Sequence, residues 1–291
     1  MFLRQKTILR FLKNEEGSVS KIRLTKLAFL LKNEVRDIPK TASYEFLPYH
    51  YGPFSFTLYH EINSLQRDGM VVSNDQSFHL CPIGEVAAKK LEKGVAFEVD
   101  RLSKRFGQVN TNALVSQVYS RYPWYTLNSK DEKKRSSSLP KASAKVYTVG
   151  YEGLMIDGLI DLLLKNGIQR LIDVRCNPIA RRFGFHKSTM ERVFRDLKID
   201  YLHVPELGVP SDLRENLESD GDYAKLFSKY RKEIIPGAST ALQKVITLIK
   251  EKPSVLMCKE ENSLCCHRSH LGEIISQKIG LPLVELRDIY E

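Results

Sequence analysis

The second half of the sequence alternates short apolar segments, rich in β-branched residues, with longer segments of helical periodicity. The apolar segments read KVYTVG, QRLIDVR, DYLHVPEL, SVLMC and LPLVEL, and amphipathic stretches separate them. Parallel strands need a crossover connection, which is usually a helix, so this order predicts a mostly parallel sheet with helices on both faces. We therefore expect an α/β domain over residues 146–291, preceded by a smaller domain.

Polar residues cluster where the predicted strands end. Ligands of open α/β sheets bind beyond the carboxyl ends of the strands, so these residues predict the functional edge. The strand-end residues are Gly150, Tyr151 and Glu152 after the first strand, Asp173 and Arg175 after the second, His203 and Glu206 after the third, and Cys258 and Glu260 after the fourth. Asp173 and Glu260 are the acid–base candidates, because such chemistry needs paired carboxylates in different environments.

Arginines and one helix start predict an anion site at the same edge. The loop DVRCNPIARRFGFH contains Arg175, Arg181 and Arg182, and guanidinium groups bind phosphate or carboxylate in bidentate fashion. The predicted helix CHRSHLGEII begins with Cys266, His267 and Arg268, where backbone N–H groups and the helix dipole favour an anion. The predicted substrate- or phosphate-binding residues are Gly150, Tyr151, Glu152, Arg175, Arg181, Arg182, Cys258, Cys266, His267 and Arg268.

The segment LMCKEENSLCCHRSHLGEII raises two further possibilities, a metal site and a reactive thiol. Its cysteine and histidine spacing matches no standard zinc motif, so we expect neither a metal nor another cofactor. Cys258 follows an apolar strand and precedes a helix, where a thiolate is stabilised. Glu260 and Glu261 next to it would raise its pKa and repel phosphate. A thiol-dependent transferase therefore remains a third hypothesis.

The first 127 residues predict a mainly helical domain that ends in a hairpin. Two helical patterns are followed by a Gly-Pro turn, a third helix near residues 55–68 and the strand pair MVVS and QSFHLC. Three helices and a hairpin in this order are typical of a winged helix, whose third helix either enters a DNA groove or packs against protein. The stretch YHYGPFS and the residues after it resemble the winged-helix-like domain of phage-associated antitoxin proteins.

Positive charge is concentrated where this domain ends. The chain has a net charge of +10, and residues 101–150 hold 10 Lys+Arg against 2 Asp+Glu. Such a block suits a polyanion, although a solvated basic linker is an equal alternative. Residues 128–145 are polar and lack periodicity, and we interpret them as a linker. The predicted nucleic-acid contacts are Lys104, Arg105, Arg121, Tyr122 and Trp124, with DNA the favoured partner.

Cysteine usage and hydropathy indicate the cellular environment. The five cysteines form no regular disulfide framework, and the sequence has no apolar run of membrane-spanning length. We therefore expect a cytoplasmic protein with reduced thiols and no membrane partner.

The motifs YTVGYEG, LIDVRCNPIARRFGF, ELG and LMCKEENSLCCHRSHL together resemble the family of domain of unknown function 488. That family's pattern has a T-(I/V)-G start, a D-V-R-x-x-P segment and a terminal C-x-E…C-H-R. The resemblance covers nearly all of residues 146–291 and implies the α/β fold without an activity. Its signature positions here are Gly150, Asp173, Arg175, Pro178, Arg181, Phe183, Leu207, Gly208, Cys258, Glu260, Cys266, His267 and Arg268.

These features together favour a nucleic-acid-processing enzyme that acts on DNA, with the N-glycosidic bond of a modified or damaged base as the favoured target. The alternative is a DNA-binding regulator or antitoxin-like protein whose α/β domain senses a nucleotide. Asp173 and Glu260 also have a structural alternative, as ion-pair partners of Arg175 and Arg268.

Overall fold

A computed structural model describes residues 1–135, 138–214, 217 and 219–287 of the chain. The chain forms two compact units, Met1–Ser138 and Leu139–Glu291. The boundary falls inside the segment that the sequence predicts as a linker. The first part of that segment packs onto the N-terminal unit, because Asn128 donates to the Pro48 carbonyl and the Lys130 amide donates to the His50 carbonyl. Residues 136 and 137 of the predicted linker lie outside the described residues.

The N-terminal unit is mainly helical, as the sequence predicts. Its helices are α1 (Leu3–Asn14), α2 (Lys21–Glu34), α3 (Phe56–Arg67), α4 (Pro82–Ala88), α5 (Lys93–Phe106) and α6 (Thr111–Arg121). Its strands are β1 (Ser18–Ser20), β2 (Leu47–Tyr49), β3 (Gly52–Phe54), β4 (Val71–Ser73) and β5 (Ser77–Leu80). The β4–β5 hairpin corresponds to the predicted strand pair, and strand β1 pairs with its outer side in the order β1-β5-β4.

Strands β1, β2 and β3 were not predicted from the sequence. Each has three residues, which is too short for an alternating hydrophobic pattern to be visible. Strand β1 forms because the amide and carbonyl groups of Ser18–Ser20 pair with Ser77–His79 of the hairpin. This pairing is a tertiary contact that local sequence does not encode.

The C-terminal unit is an α/β domain. Its strands are β6 (Val146–Gly150), β7 (Arg170–Asp173), β8 (Asp200–His203), β9 (Ser254–Cys258) and β10 (Leu283–Leu286). Its helices are α7 (Ile156–Lys165), α8 (Lys187–Asp196), α9 (Asp220–Lys229), α10 (Ile235–Gly237), α11 (Ser239–Glu251) and α12 (His267–Ile279). The strand order is β10-β6-β9-β7-β8 and every described pair is parallel, as the sequence predicts.

The apolar strands of this sheet are buried because helices cover them. All five residues of β9 and all four of β7 are buried, whereas the edge strands β8 and β10 are partly exposed. The core includes Val245 and Ile249 of α11, Leu271 and Ile275 of α12, and Ile172 of β7, among other residues. Burying these side chains drives the sheet and its helices together.

In the described part of the chain, every helix is too short or too polar to cross a lipid bilayer.

Candidate functional site

The carboxyl ends of the central strands lie in one row. Gly150 of β6 stands opposite Cys258 of β9, and Asp173 of β7 stands opposite both Met257 and His203. Because the strands are parallel and in this register, the polar residues that end them meet at one edge. The structure brings most of the predicted residues together in two groups, one at the end of β7 and one at the end of β9.

The group at the end of β7 is an ion pair enclosed by hydrogen bonds, which we call the Asp173 network. Arg175 donates to both carboxylate oxygens of Asp173, from Nε at 2.8 Å and from Nη2 at 2.6 Å. The Tyr201 hydroxyl donates to Asp173 Oδ2 at 2.6 Å, and Arg175 Nη1 donates to the Tyr151 hydroxyl at 3.1 Å. Asp173 has no exposed surface and Arg175 has 5%. The charges of this network are therefore neutralised inside the protein.

The pKa values in the Asp173 network shift in the directions that this pairing requires. Burial would lower the pKa of Arg175, but its hydrogen bonds to Asp173 and the carboxylate charge outweigh burial and raise it. Burial raises the pKa of Tyr201, and the charge of Asp173 raises it further. The guanidinium therefore stays charged and the phenol stays protonated, as donors to the same carboxylate.

Arg268 fastens the loop that follows β9, although the sequence predicts it to bind phosphate. Its side chain has no exposed surface, and it donates to the carbonyl groups of Glu260 and Glu261 and to Glu285 Oε1 at 2.7 Å. Gly150 contributes to this packing, since a Cβ atom there would overlap the Glu260 carbonyl. Both Nη groups of Arg268 are thus committed to acceptors within the domain, whereas its buried Nε has no hydrogen-bond partner among the described residues.

The group at the end of β9 consists of Cys258, Glu260, Cys266 and His267, which we call the Cys–His–Glu cluster. Glu260 Oε2 lies 3.2 Å from Cys258 Sγ and 3.1 Å from Cys266 Sγ. Cys258 Sγ lies 3.7 Å from His267 Nδ1. Both sulfur atoms and one histidine nitrogen lie within 4.8 Å of one another. Strand β9 positions Cys258, and the first turn of α12 with its N-cap positions the other thiol and the imidazole.

His267 is oriented by a contact outside the cluster. Its Nε2 lies 3.0 Å from the carbonyl oxygen of Val174, at the end of β7. A carbonyl only accepts, so Nε2 carries the hydrogen and, in the neutral imidazole, the lone pair is on Nδ1. Nδ1 faces Cys258 and also lies 3.3 Å from Arg214 Nη2. The acceptor nitrogen of His267 therefore points into the cluster.

The titrating groups of the cluster depend on one another. Burial would raise the pKa of Cys258, but a hydrogen bond from Cys266 and the charge of His267 outweigh it, so this pKa lies well below its usual value. Burial and the charge of Cys258 raise the pKa of Cys266 well above its usual value. Burial is also the main cause that raises the pKa of Glu260. The negative charge of Cys258 outweighs burial and raises the pKa of His267.

Two residues at this site were not identified from the sequence. Arg214 Nη1 lies 3.5 Å from Glu260 Oε1, so Arg214 contacts both the carboxylate and the imidazole. The Tyr230 ring packs edge-on against His267, with ring centroids 5.4 Å apart, and its hydroxyl donates to the Leu207 carbonyl. Arg214 lies in an acidic segment without strand or helix periodicity, and only the tertiary fold brings it to the cluster.

The other predicted residues of this domain occupy different surroundings. Tyr151 is buried, and its ring stacks on Phe185 with centroids 4.0 Å apart. His203 Nε2 donates to the Arg175 carbonyl at 2.8 Å. Glu152, Arg181 and Arg182 are exposed. Arg181 and Arg182 face solvent, Glu152 Oε2 accepts from the Glu261 amide at 3.2 Å, and the tyrosine supports the Asp173 network.

The predicted nucleic-acid residues of the N-terminal unit are partly used in its own packing. Arg105 and Arg121 both pair with Glu34, and Tyr122 contacts the Phe29 ring edge-on at 4.9 Å. Trp124 is half-buried, and Lys104 is exposed. Both arginines retain about half of their side-chain surface in solvent, with 51% and 43% exposed.

Comparison with known proteins identifies one family. The family described as Domain of unknown function DUF488 matches residues 155–275, so the C-terminal region of this chain belongs to that family. The matched stretch contains the Asp173 network and the Cys–His–Glu cluster, while strand β6 precedes it. No curated protein and no solved structure matches the chain.

Proposed function

We propose that this protein is a nucleic-acid-processing enzyme that acts on DNA, with Glu260 as its acid–base group. The observation that carries this proposal is the contrast between the two candidate carboxylates. Asp173 is fully buried and accepts hydrogen bonds on both oxygens, whereas the Glu260 side chain keeps 26% of its surface exposed. A group that exchanges a proton with a substrate must reach it. Glu260 therefore takes the chemical role, and Asp173 positions Arg175.

The surroundings of Glu260 suit a reacting group. Its carboxylate contacts the sulfur atoms of two thiols, and its Oε1 lies 3.5 Å from Nη1 of the partly exposed Arg214. It lies just beyond the carboxyl end of β9, where ligands of parallel α/β sheets bind. Arg214, with 33% of its side chain exposed, is available to a substrate phosphate as well as to Glu260.

Charge and domain composition support a nucleic-acid substrate. The 10 Lys+Arg and 2 Asp+Glu of residues 101–150 make this stretch the most basic part of the chain. Exposed lysines and arginines bind a phosphate backbone without regard to sequence, which would hold DNA for a site on another domain. Exposed Arg181 and Arg182 add positive charge to the catalytic domain itself.

The favoured reaction is hydrolysis of the N-glycosidic bond of a modified or damaged base. Such a bond breaks through an oxocarbenium-like transition state. A carboxylate can stabilise the positive charge of this state, or it can activate the attacking water. The substrate base must leave the helical stack to reach a site of this kind.

The test is a turnover assay on end-labelled single- and double-stranded DNA and RNA that carry modified bases, with an alkali step to reveal abasic sites. Wild type is compared with Glu260→Gln and with Glu261→Gln. Glu261 is an exposed carboxylate one residue further along, so its variant is the matched control. We expect product from wild type and Glu261→Gln, and a loss of about 100-fold or more in Glu260→Gln.

Other results would overturn parts of the proposal. Equal product from Glu260→Gln would remove Glu260 from the chemistry. Salt-sensitive DNA binding by all three proteins without product would overturn the enzyme and favour the regulator. Absence of binding to every nucleic acid would overturn the substrate class.

A further inference from the structure

We propose that Cys258, Cys266 and His267 form a binding site for a zinc ion, with Glu260 beside the ion's fourth position. This inference adds a metal to the site of the proposed function, but it rests on the geometry of the cluster and holds for any substrate. Thiolate and imidazole are the donors that select zinc among the abundant divalent ions. The three side chains come from two places on the chain, the end of β9 and the start of α12.

The distances in the cluster fit the edges of a tetrahedron around one ion. Zinc bonds to sulfur at about 2.3 Å and to nitrogen at about 2.0 Å, so their tetrahedral edge is about 3.6 Å. Cys258 Sγ lies 3.7 Å from His267 Nδ1, and the three donor atoms all lie within 4.8 Å of one another. Cys258 and His267 therefore already stand at the distance of two ligands of one ion, and the Cys266 thiol lies close to both.

The hydrogen bond that orients the His267 imidazole also supports a zinc site. Histidine ligands of metals commonly donate their second ring N–H to a carbonyl or carboxylate, which fixes the ring and the tautomer. His267 Nε2 donates to the Val174 carbonyl at 3.0 Å, so Nδ1, which faces Cys258 and Arg214, carries the lone pair that a metal would use. Tyr230 packs against the ring and limits its rotation.

The composition of the cluster also calls for a cation. Two thiols and a carboxylate, which can all become anionic, approach one another in a site where Cys258 and Cys266 have 0% and 1% exposure. The guanidinium of Arg214 lies at the partly exposed side of the cluster, and the buried guanidinium of Arg268 interacts with Cys266. A divalent ion would neutralise the thiolates directly and replace the thiol protons.

The number of ligands indicates a reactive rather than a purely structural metal. Structural zinc takes four Cys or His ligands, whereas catalytic zinc takes three protein ligands and a water molecule. Glu260 Oε2 lies 3.2 Å and 3.1 Å from the two sulfur atoms and its carboxylate reaches solvent. Glu260 would therefore stand where it could orient a water molecule at the fourth position, and the ion would supply Lewis-acid activation of that water.

The experiment is metal analysis of the full-length chain, without nucleic acid present. The protein is stripped with a chelator, loaded with Zn²⁺, freed of excess ion and analysed for zinc per chain. Stripped protein is also titrated with Co²⁺, whose absorption reports thiolate ligation and a four-coordinate geometry. The variants are Cys258→Ser, Cys266→Ser, His267→Ala and Glu260→Gln.

Cys265→Ser is the matched control, because Cys265 neighbours Cys266 but its Sγ instead accepts a contact from Asn262. We expect one zinc per chain in wild type, in Cys265→Ser and in Glu260→Gln. We expect each of the three ligand variants to bind zinc at least about tenfold more weakly. Wild type should also show the thiolate-to-cobalt charge-transfer band, and this measurement stands even if a ligand variant fails to fold.

Wild type without bound zinc or a cobalt–thiolate band would overturn the site. Full zinc binding by the three ligand variants would overturn it as well. Rapid alkylation of Cys258 by iodoacetamide in stripped protein, at a rate that Zn²⁺ leaves unchanged, would overturn it in favour of thiol chemistry. Because DNA is absent, failure here leaves the DNA assay of the proposed function unaffected, and failure of that assay leaves the metal site standing.

Discussion

Strands β7 and β9 are hydrogen-bonded neighbours, yet their carboxyl ends carry opposite kinds of chemistry. At the end of β7, Asp173 accepts hydrogen bonds from Arg175 and Tyr201, so both oxygens of its carboxylate have donors. At the end of β9, one carboxylate oxygen of Glu260 lies 3.2 Å and 3.1 Å from the sulfur atoms of two thiols. In the Asp173 network, hydrogen-bond donors match the acceptors. In the Cys–His–Glu cluster, the two thiols and the carboxylate repel one another when they ionise.

This difference separates a structural site from a candidate functional site. A buried charge is costly unless it is paired and hydrogen-bonded, and the Asp173 network meets that requirement with its own residues. The Cys–His–Glu cluster meets it only in part, and its pKa values shift in opposite directions. Such perturbed groups are typical of sites that hold a ligand or carry out chemistry. The Asp173 network therefore has the features of a structural ion pair, and the Cys–His–Glu cluster is the candidate functional site.

The largest expected effect comes from breaking the Asp173 network. Asp173→Asn leaves Arg175 buried without a counter-charge, so the free energy of unfolding should fall by about 3–5 kcal/mol. Glu260→Gln should change it by about 1 kcal/mol or less, because its pair with Arg214 is partly exposed. Denaturant unfolding of both variants measures the contrast.

The exposed carboxylate Asp196 at the end of α8 is the control for Asp173. Asp196→Asn should leave the unfolding transition of the C-terminal domain nearly unchanged. If Glu260→Gln destabilised the protein as much as Asp173→Asn, the two strand ends would be equally structural and the comparison would fail.

Zinc should act on one strand end and not on the other. At a free concentration 100 times its dissociation constant, Zn²⁺ should raise the free energy of unfolding of the wild type by about 2.7 kcal/mol. Asp173→Asn should gain the same increment, because its cluster is intact, whereas Cys258→Ser, which should bind the ion at least about tenfold more weakly, should gain about 1.4 kcal/mol or less. Thermal unfolding with and without the ion measures this difference. An equal gain in Cys258→Ser would place the ion elsewhere.

A smaller effect tests how much of the β7 network depends on charge. Tyr201→Phe removes the hydroxyl that donates to Asp173 Oδ2 at 2.6 Å. Hydrogen bonds to charged groups contribute about 1.5–3 kcal/mol, so we expect a loss of unfolding free energy in that range. Tyr147→Phe is the control, since its hydroxyl donates to the neutral Ser143 carbonyl at 3.0 Å. Equal losses would show that the carboxylate charge adds nothing at Tyr201.

The smallest expected effect concerns Lys26, a buried lysine to which the described residues offer carbonyl groups and no carboxylate. Lys26 has 2% exposure, and its Nζ donates to the carbonyl groups of Tyr51 and Pro53. Burial lowers the pKa of Lys26 from 10.5 to about 7. Between these values the unfolded chain holds a proton that the folded chain has released. The free energy of unfolding should therefore rise with pH, by at most about 1.4 kcal/mol per unit.

Lys26→Met removes this titration without changing the other groups. The difference in unfolding free energy between wild type and Lys26→Met should increase from pH 7 to pH 9. Denaturant unfolding at several pH values measures it. A difference that does not vary with pH would mean that two carbonyl acceptors keep Lys26 charged as effectively as a carboxylate would.

Much of the fold and part of the site follow from local patterns. The central strands β6, β7 and β9 were predicted because strands buried on both faces must be continuously apolar, and the partly exposed strands β8 and β10 were predicted from their alternation with helical segments. Once they are parallel, Asp173, Cys258 and Glu260 must lie at one edge, and they do. Strand β1 was not predicted, because three residues show no period and its partner is distant in the sequence.

The roles of individual side chains were harder to predict. The sequence places Arg268 at a helix start, where an anion site is expected, but burial turns its guanidinium toward carbonyl groups and Glu285. Three cysteines follow one another closely after β9, and spacing alone does not say which of them converge. The turn Ser263–Cys265 and the start of α12 decide that Cys266 joins Cys258, while Cys265 contacts Asn262.

The sequence by itself determined the α/β class of the C-terminal domain, the edge of the sheet where polar residues gather, and the two carboxylates that stand there. Hydrophobic periodicity carries this information because it records which residues must be buried. Only the tertiary structure decided that Asp173 is enclosed by Arg175 and Tyr201 while Glu260 stands open beside two thiols and a histidine. The physical reason is that donors and acceptors distant in the chain, such as Tyr201 and His267, take their partners only after the sheet and helix α12 have packed.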